Sequence, residues 1–283
     1  MRLSKGAERA LKAAAGLTLA FIYIPLIVIV IYAFNTSETL SWPPDGFTTE
    51  WFGKAIDNTG ARDAFLLSLE AGALATGIAL ILGTLASMAV ARYKFFGRET
   101  ISFLVILPIA LPGIVTGVAL NTSFTQILGV ELSLFTIIVG HATFCIVVVY
   151  NNVVARMRRL SGSLEEASAD LGATPWTTFR RITLPNLQTA LVAGGLLAFG
   201  LSFDEIIVTT FTAGTGEQTL PLWILDNFSR PNQLPIVNVV AVIVILISIV
   251  PVYLANRLTA DEGGATAGRA RGRKLEAEAT AIP

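Results

Sequence analysis

The chain has 283 residues, of which 53% are hydrophobic and only 14% charged, and its mean hydropathy is strongly positive. Twenty basic residues balance twenty acidic ones, so net charge argues for neither a nucleic acid nor an acidic partner; a single cysteine, Cys145, excludes an intramolecular disulfide and a cysteine metal cluster. A soluble protein of this size would not carry repeated apolar runs of about 20 residues, the length that crosses a hydrocarbon layer about 30 Å thick.

Six such runs predict an all-α integral membrane protein with six transmembrane helices. The first covers residues 13–34. It follows Arg2, Lys5, Arg9 and Lys12, as the core of a signal peptide would, but it is too long and has no small-x-small cleavage site, so it reads as a retained helix. Between Asn35 and Asp63 lie five acidic and two basic residues, with Trp42, Phe47, Trp51 and Phe52 expected to act as membrane-interface anchors. The second run, 65–91, places Ala71, Ala75, Ala79, Gly83, Ser87 and Ala91 at every fourth position. Such a ridge of small residues predicts close helix packing, because the hydrophobic effect cannot drive helices together in lipid. The third, 101–124, contains Pro108 and Pro112 with Gly113 and Gly117 behind them, which predicts a bent helix that either lines a pathway or fits its neighbours. The fourth, fifth and sixth cover 132–154, 187–211 and 236–254. Residues 259–283 are rich in Ala, Gly, Arg and Glu and read as a disordered tail. No internal repeat is visible.

Seventeen of the twenty basic residues fall on one side of this topology, at the N-terminus, after spans two and four, and in the tail; only Lys54, Arg62 and Arg230 fall on the other. The positive-inside rule therefore places both termini and the loop after span four in the cytoplasm.

That loop is polar and sits between two apolar runs. Ser163 and Glu166 have capping-box spacing. Leu160, Leu164, Ala167 and Leu171 share one helical face, with Glu165, Glu166 and Asp170 off it. Gly172 suits a left-handed stop. Thr174-Pro175 restarts a helix as cap and first position, Trp176 and Phe179 follow, and Pro185 is expected to break the chain again. This pattern, Glu166-Ala167-Ser168, then Gly172, then Ile182, Leu184 and Pro185, closely resembles the coupling loop of permease subunits in binding-protein-dependent ABC importers. Ser168 stands where that family usually has a second alanine, a swap that keeps the residue small.

The resemblance extends from residue 65 to 254 and implies the type-I importer transmembrane architecture. Leu201-Ser202-Phe203-Asp204-Glu205, Thr219-Leu220-Pro221-Leu222-Trp223 and Arg230-Pro231-Asn232 are similar to the second permease subunit of spermidine/putrescine-type importers. Relatives of that group move other cargo, such as 4-aminobutyrate, aminophosphonates or ferric iron. The resemblance implies a bacterial inner-membrane complex with a second homologous permease, two cytoplasmic ATPases that use ATP and Mg, and an extracytoplasmic solute-binding protein. The domain reading is 1–64 for the first helix and external loop, 65–255 for the transmembrane domain with its coupling loop at 160–186, and 256–283 for the tail.

This chain has no G-x-x-x-x-G-K-[ST] loop, so ATP hydrolysis and its cofactors are expected in a partner, and no catalytic residue is assigned. Gly214-Thr215-Gly216 lacks the strand-and-helix context of a dinucleotide fingerprint. His141 and Cys145 share a helical face, but no further ligand or acid accompanies them, so they read as packing residues. Asp204 and Glu205, an acidic pair in the fifth span, are candidates for a cation pathway, about 20 Å beyond Leu191 at 1.5 Å per residue. An ion-coupled secondary transporter would leave the coupling loop unexplained. An intramembrane hydrolase using Asp204 would need a second catalytic group in a facing helix.

Overall fold

A computed structural model describes residues 4–249. Among these residues no β-strand forms, only an isolated bridge between Asn35 and Phe47. Five helices are long and apolar enough to cross a membrane, and a sixth span results if one sharply bent pair is taken together. The described residues gather into two units, one of residues up to Asp63 with Trp223–Ser248, the other Ala64–Leu222.

In the first unit, α1 (Lys5–Ala33) starts where Ser4 Oγ accepts the Ala7 N–H at 3.2 Å. A Lys12–Glu8 pair at 2.7 Å decorates its first turns. The chain then folds back so that Trp51, in α2 (Glu50–Ile56), is buried and donates Nε1–H to Asn35 O at 2.8 Å. Phe52 packs on Phe34 with ring centroids 4.9 Å apart. Trp42 and Phe47, two of the expected interface anchors, are 72% and 73% exposed. Trp51, expected to join them, is instead the internal prop of this loop, because its indole N–H finds a backbone carbonyl.

The second unit is built around the ridge of α3 (Thr59–Arg92). After it come α4 (Arg98–Ala110), α5 (Gly113–Thr122, continued by a π-turn Ser123–Ile127) and α6 (Leu134–Met157). Ala71, Ala75 and Ala79 are fully buried. A Cβ on Gly83 would lie 3.0 Å from the Ile146 carbonyl oxygen, and Ser87 Oγ donates to Tyr150 O at 3.0 Å. The small residues therefore do what their spacing predicts: they let α3 lie directly on α6.

The third span is more than bent. Between α4 and α5 the axis turns by 105°, at Leu111, whose backbone is extended, and Pro112, with φ −57° and ψ 132°. Pro108 lies inside α4. After the turn, α5 is held against a later helix: Asn121 Nδ2 donates to Phe211 O at 2.7 Å, and Gly117 leaves room for the Phe211 ring.

Beyond α6 come α7 (Ser163–Asp170), α8 (Pro175–Thr178), a π-turn (Phe179–Thr183), α9 (Leu184–Phe203), α10 (Ile207–Thr212) and α11 (Leu220–Phe228). The sixth candidate span, Pro231–Ile249, is α12 and opens with a 3-10 turn at Pro231–Gln233. The rest of that predicted span and the tail, expected to be disordered, lie outside the described residues. The fifth span differs from expectation: its helix stops at Phe203 instead of running to 211.

The loop between α6 and α9 and the break at Asp204

The loop between α6 and α9 is a short helix tied down from its sides. The expected capping box does not form. Gly162 is the N-cap of α7, its carbonyl accepting the Glu165 and Glu166 N–H groups at 3.0 and 3.1 Å. Ser161 Oγ, not Ser163, takes a free N–H at the start, that of Ser163 at 3.2 Å. The reason is local competition: the Ser161 and Ser163 hydroxyls bond each other at 2.7 Å. At the far end Gly172 has φ +78°, with Gly172 N bonded to Ala169 O at 2.8 Å and Ala173 N to Ser168 O at 3.1 Å. This is the left-handed stop expected of glycine.

The apolar stripe of α7 faces outward. Leu164 is 50% exposed and Leu171 is 89% exposed, with Ala167 and Glu166 open beside them. The inward face is polar. Ser168 is buried, its Oγ 2.9 Å from Thr178 Oγ1 in α8. Glu165, which sequence reasoning left on the polar face without a role, accepts the Thr183 hydroxyl at 2.9 Å through Oε1. Its Oε2 lies 2.8 Å from Arg92 Nε at the end of α3. No sequence signal near Glu165 marks it out, because both partners are distant in the chain.

Thr174 caps α8, accepting the Thr177 N–H at 3.3 Å, with Pro175 in the first turn. The break expected at Pro185 is absent. Leu184 N–H reaches back five residues to Phe179 O, and the helix continues from Pro175 through Phe203. Pro185 sits in the first turn of α9, and the wider π-turn before it accommodates the ring. Ile182 is half-buried in that turn. Leu184 joins Trp176 and Phe179 at one end of an open apolar groove of about 800 Å³, whose walls come from α3 (Thr76 to Leu85) and α9 (Leu191 to Phe199).

At the other end of α9 the chain breaks without a proline. Asp204 is the C-cap, its N–H bonded to Gly200 O at 3.2 Å. Its carboxylate is exposed. Glu205 turns its Oε1 onto the Val208 N–H at 2.8 Å and so caps α10. The two acids are thus not neighbours on one helix, as expected, but the end of one helix and the start of the next. Thr209 and Thr210 hydroxyls donate to Glu205 O and Ile206 O at 2.8 and 2.7 Å.

His141, fully buried in α6, spans this break. Its Nδ1 is 2.7 Å from Ser202 Oγ in α9, and its Nε2 is 2.8 Å from Thr209 Oγ1 in α10. Since the Thr209 proton goes to Glu205 O, the accounting makes Nε2–H the donor to Thr209. The expected packed imidazole is therefore also a hydrogen-bonded bridge. Cys145, one turn on, donates Sγ–H to Ala198 O at 3.3 Å.

Comparison with known proteins bears on what this arrangement serves. The model of the family described as "Binding-protein-dependent transport system inner membrane component" matches residues 79–261. The putrescine transport system permease protein PotI of Escherichia coli (strain K12) is 34% identical over 232 residues, 80% of this chain and 82% of its own. The spermidine/putrescine transport system permease protein PotC of the same strain is 32% identical over 244 residues, 86% of this chain and 91% of its own. Among solved structures, a bacterial ABC transporter involved in alginate import matches in fold with TM-score 0.68 at 16% identity, covering 92% of this chain and 99% of the matched one. The alginate transporter in complex with an alginate pentasaccharide-bound periplasmic protein gives 0.66 at 16% identity, with 92% and 97% covered.

Proposed function

The chain belongs to the family of binding-protein-dependent transport system inner membrane components, the permeases of ABC importers, and from that premise we propose that it is one half of the pore of an ATP-driven importer of putrescine, spermidine or a related small amine. The observation that carries the substrate class is the likeness to PotI and PotC, which runs through four-fifths or more of each chain compared. A second homologous permease completes the pore. Two cytoplasmic ATPases bind and hydrolyse ATP with Mg, and an extracytoplasmic binding protein delivers the cargo; this chain itself binds no cofactor.

Within that assembly α7 is the element that seats in the ATPase. Its exposed Leu164, Ala167 and Leu171, with Glu166 at their edge, form the docking face, and Gly172 sets the turn that presents it. Ser168 supports that face from behind through Thr178. The backbone through Ile182, Leu184 and Pro185 carries the movement into α9, because the helix there is unbroken. This end lies in the cytoplasm with both termini, which the basic residues around it support. In a Cys145→Ala background, a cysteine at Glu131 should react with an impermeant thiol reagent in whole cells. One at Ser161 should stay protected until the membrane is opened; labelling of Ser161→Cys from outside would overturn the orientation.

Asp204 is the better pathway acid of the pair, since the Glu205 carboxylate is occupied in capping α10 while that of Asp204 is exposed. An exposed carboxylate in a membrane-spanning chain belongs in a water-filled space, where it offers a transient site to an ammonium group. The test is uptake by the reconstituted four-component importer. Radiolabelled putrescine or spermidine should accumulate in an ATP-dependent manner, and Asp204→Asn should slow that uptake strongly without loss of assembly. Transport of 4-aminobutyrate, an aminophosphonate or ferric iron with no uptake of either amine would overturn the substrate class. Undiminished amine uptake by Asp204→Asn would remove the role of its charge.

A further inference from the structure

The docking helix has soft joints at both ends. It begins at Gly162, an N-cap with no side-chain hydrogen bond, and ends at Gly172 in the left-handed region. Its tie through Ser168 reaches only Thr178, another residue of the same loop. A helix of eight residues held only in this way would pivot when pushed, and the push would be lost in the glycine joints. One side chain prevents this. The Glu165 carboxylate holds two membrane helices at once: Oε1 takes the hydroxyl of Thr183, buried where the π-turn enters α9, and Oε2 pairs at 2.8 Å with the guanidinium of Arg92, the last residue of α3.

We propose that Glu165 is a positioning residue for coupling, a brace that makes α7, the end of α3 and the start of α9 move as one body; this rests on reading α7 as the ATPase-docking element. The chemistry suits the task. The ion pair is sheltered, with side chains only 23% and 26% exposed, so solvent screens it less than an open surface pair. The other carboxylate oxygen takes the Thr183 hydroxyl, so one side chain bridges both partners. Arg92 also lies at the C-terminus of α3, where the helix dipole favours a cation. Neither contact is on the exposed face of α7, so the brace and the docking surface are separable by mutation.

The experiment uses the complete importer in proteoliposomes, with whichever cargo the wild type transports, and measures cargo moved per ATP hydrolysed. Glu165→Ala should assemble with its ATPases and keep basal hydrolysis, while cargo per ATP falls by about tenfold, a coupling loss of ordinary size. Glu165→Gln, which keeps an acceptor for Thr183 but loses the charge facing Arg92, should fall between the two. The exchange Arg92→Glu with Glu165→Arg should recover part of the loss, which a merely structural role would not predict. Wild-type cargo per ATP in both Glu165 variants would overturn the brace, as would loss of ATPase binding in Glu165→Gln. If Glu165→Ala fails to insert, Glu165→Gln and the exchange still decide the matter. Leu171→Asp on the exposed face tests the underlying reading separately: retained ATPase binding there would mean that α7 is not the docking element.

Discussion

The two ends of α9 are interrupted in opposite ways. At its start stands Pro185, a residue that should break a helix, and the helix runs through it. At its end, the stretch from Leu201 to Thr210 contains neither proline nor glycine, and the helix stops at Phe203. The difference lies in where the backbone groups go. At the start, a π-turn lets Leu184 N–H reach Phe179 O, and a proline in the first turn sacrifices a donor that has little claim on a partner. At the end, the Glu205 carboxylate takes the Val208 N–H, the Thr209 hydroxyl donates to the Glu205 carbonyl, and His141 fastens both sides of the break. In a membrane, where water cannot satisfy the backbone, a helix breaks where other partners exist and continues where they do not.

The comparison is tested hardest at His141. Replacing it with leucine leaves the buried Ser202 hydroxyl without this partner, at about 1–3 kcal/mol, and costs less at Thr209, whose hydroxyl keeps its bond to Glu205 O. His141→Leu should therefore give the largest loss of thermal stability of the variants considered, read on the purified complex. His141→Gln, whose amide both donates and accepts, should recover much of it. A His141→Leu complex that melts with the wild type would show that the break at Asp204 holds itself.

The loop end should respond differently, through conformation and not through packing. Nothing lies within 4 Å of a Cβ built on Gly172, so Gly172→Val meets no neighbour. It must still force φ +78° on a β-branched residue, at about 1–2 kcal/mol or relaxation of the turn. Transport and binding-protein-stimulated ATP hydrolysis should collapse while global stability changes little. Gly172→Asn, which tolerates the left-handed region, should retain most activity. Equal loss in both variants would assign the effect to bulk at the ATPase contact.

Much of this was legible in the sequence wherever a signal was local. Apolar length marked α1, α3 and α6, Gly172 and Thr174-Pro175 marked a stop and a start, and the small ridge marked the face of α3 that packs on α6. What escaped depends on partners far away in the chain. Glu165 differs from Glu166 only in facing Arg92 and Thr183. The end of α9 is decided by His141, some sixty residues earlier. The capping box failed for a nearer reason, since Ser161 supplies a competing hydroxyl two residues before Ser163. Pro108 and Pro112 correctly marked the third span as irregular, but its turn of 105° reflects where α5 finds Phe211, which no spacing encodes.

The smallest effect is expected at Pro185, and it completes the comparison. If the helix passes through this residue because the π-turn has already changed the hydrogen-bond register, the proline ring is tolerated there but does not create the geometry. Pro185→Ala should then leave the path of the chain unchanged. The site is exposed, and substitutions at exposed positions away from special backbone conformations usually shift stability by less than about 0.5 kcal/mol. The side chains that close this corner, Asn186 Nδ2 on Ile182 O at 2.7 Å and Arg156 Nε on Asn186 O at 3.0 Å, are untouched by the change. Melting temperature and cargo per ATP should both stay close to wild type, in contrast to Gly172→Val in the same loop. A marked loss of coupling in Pro185→Ala with unchanged melting would mean that the ring itself stiffens the passage from loop to α9. The loop end would then be governed by proline after all, and the contrast with the break at Asp204 would narrow to a difference in degree.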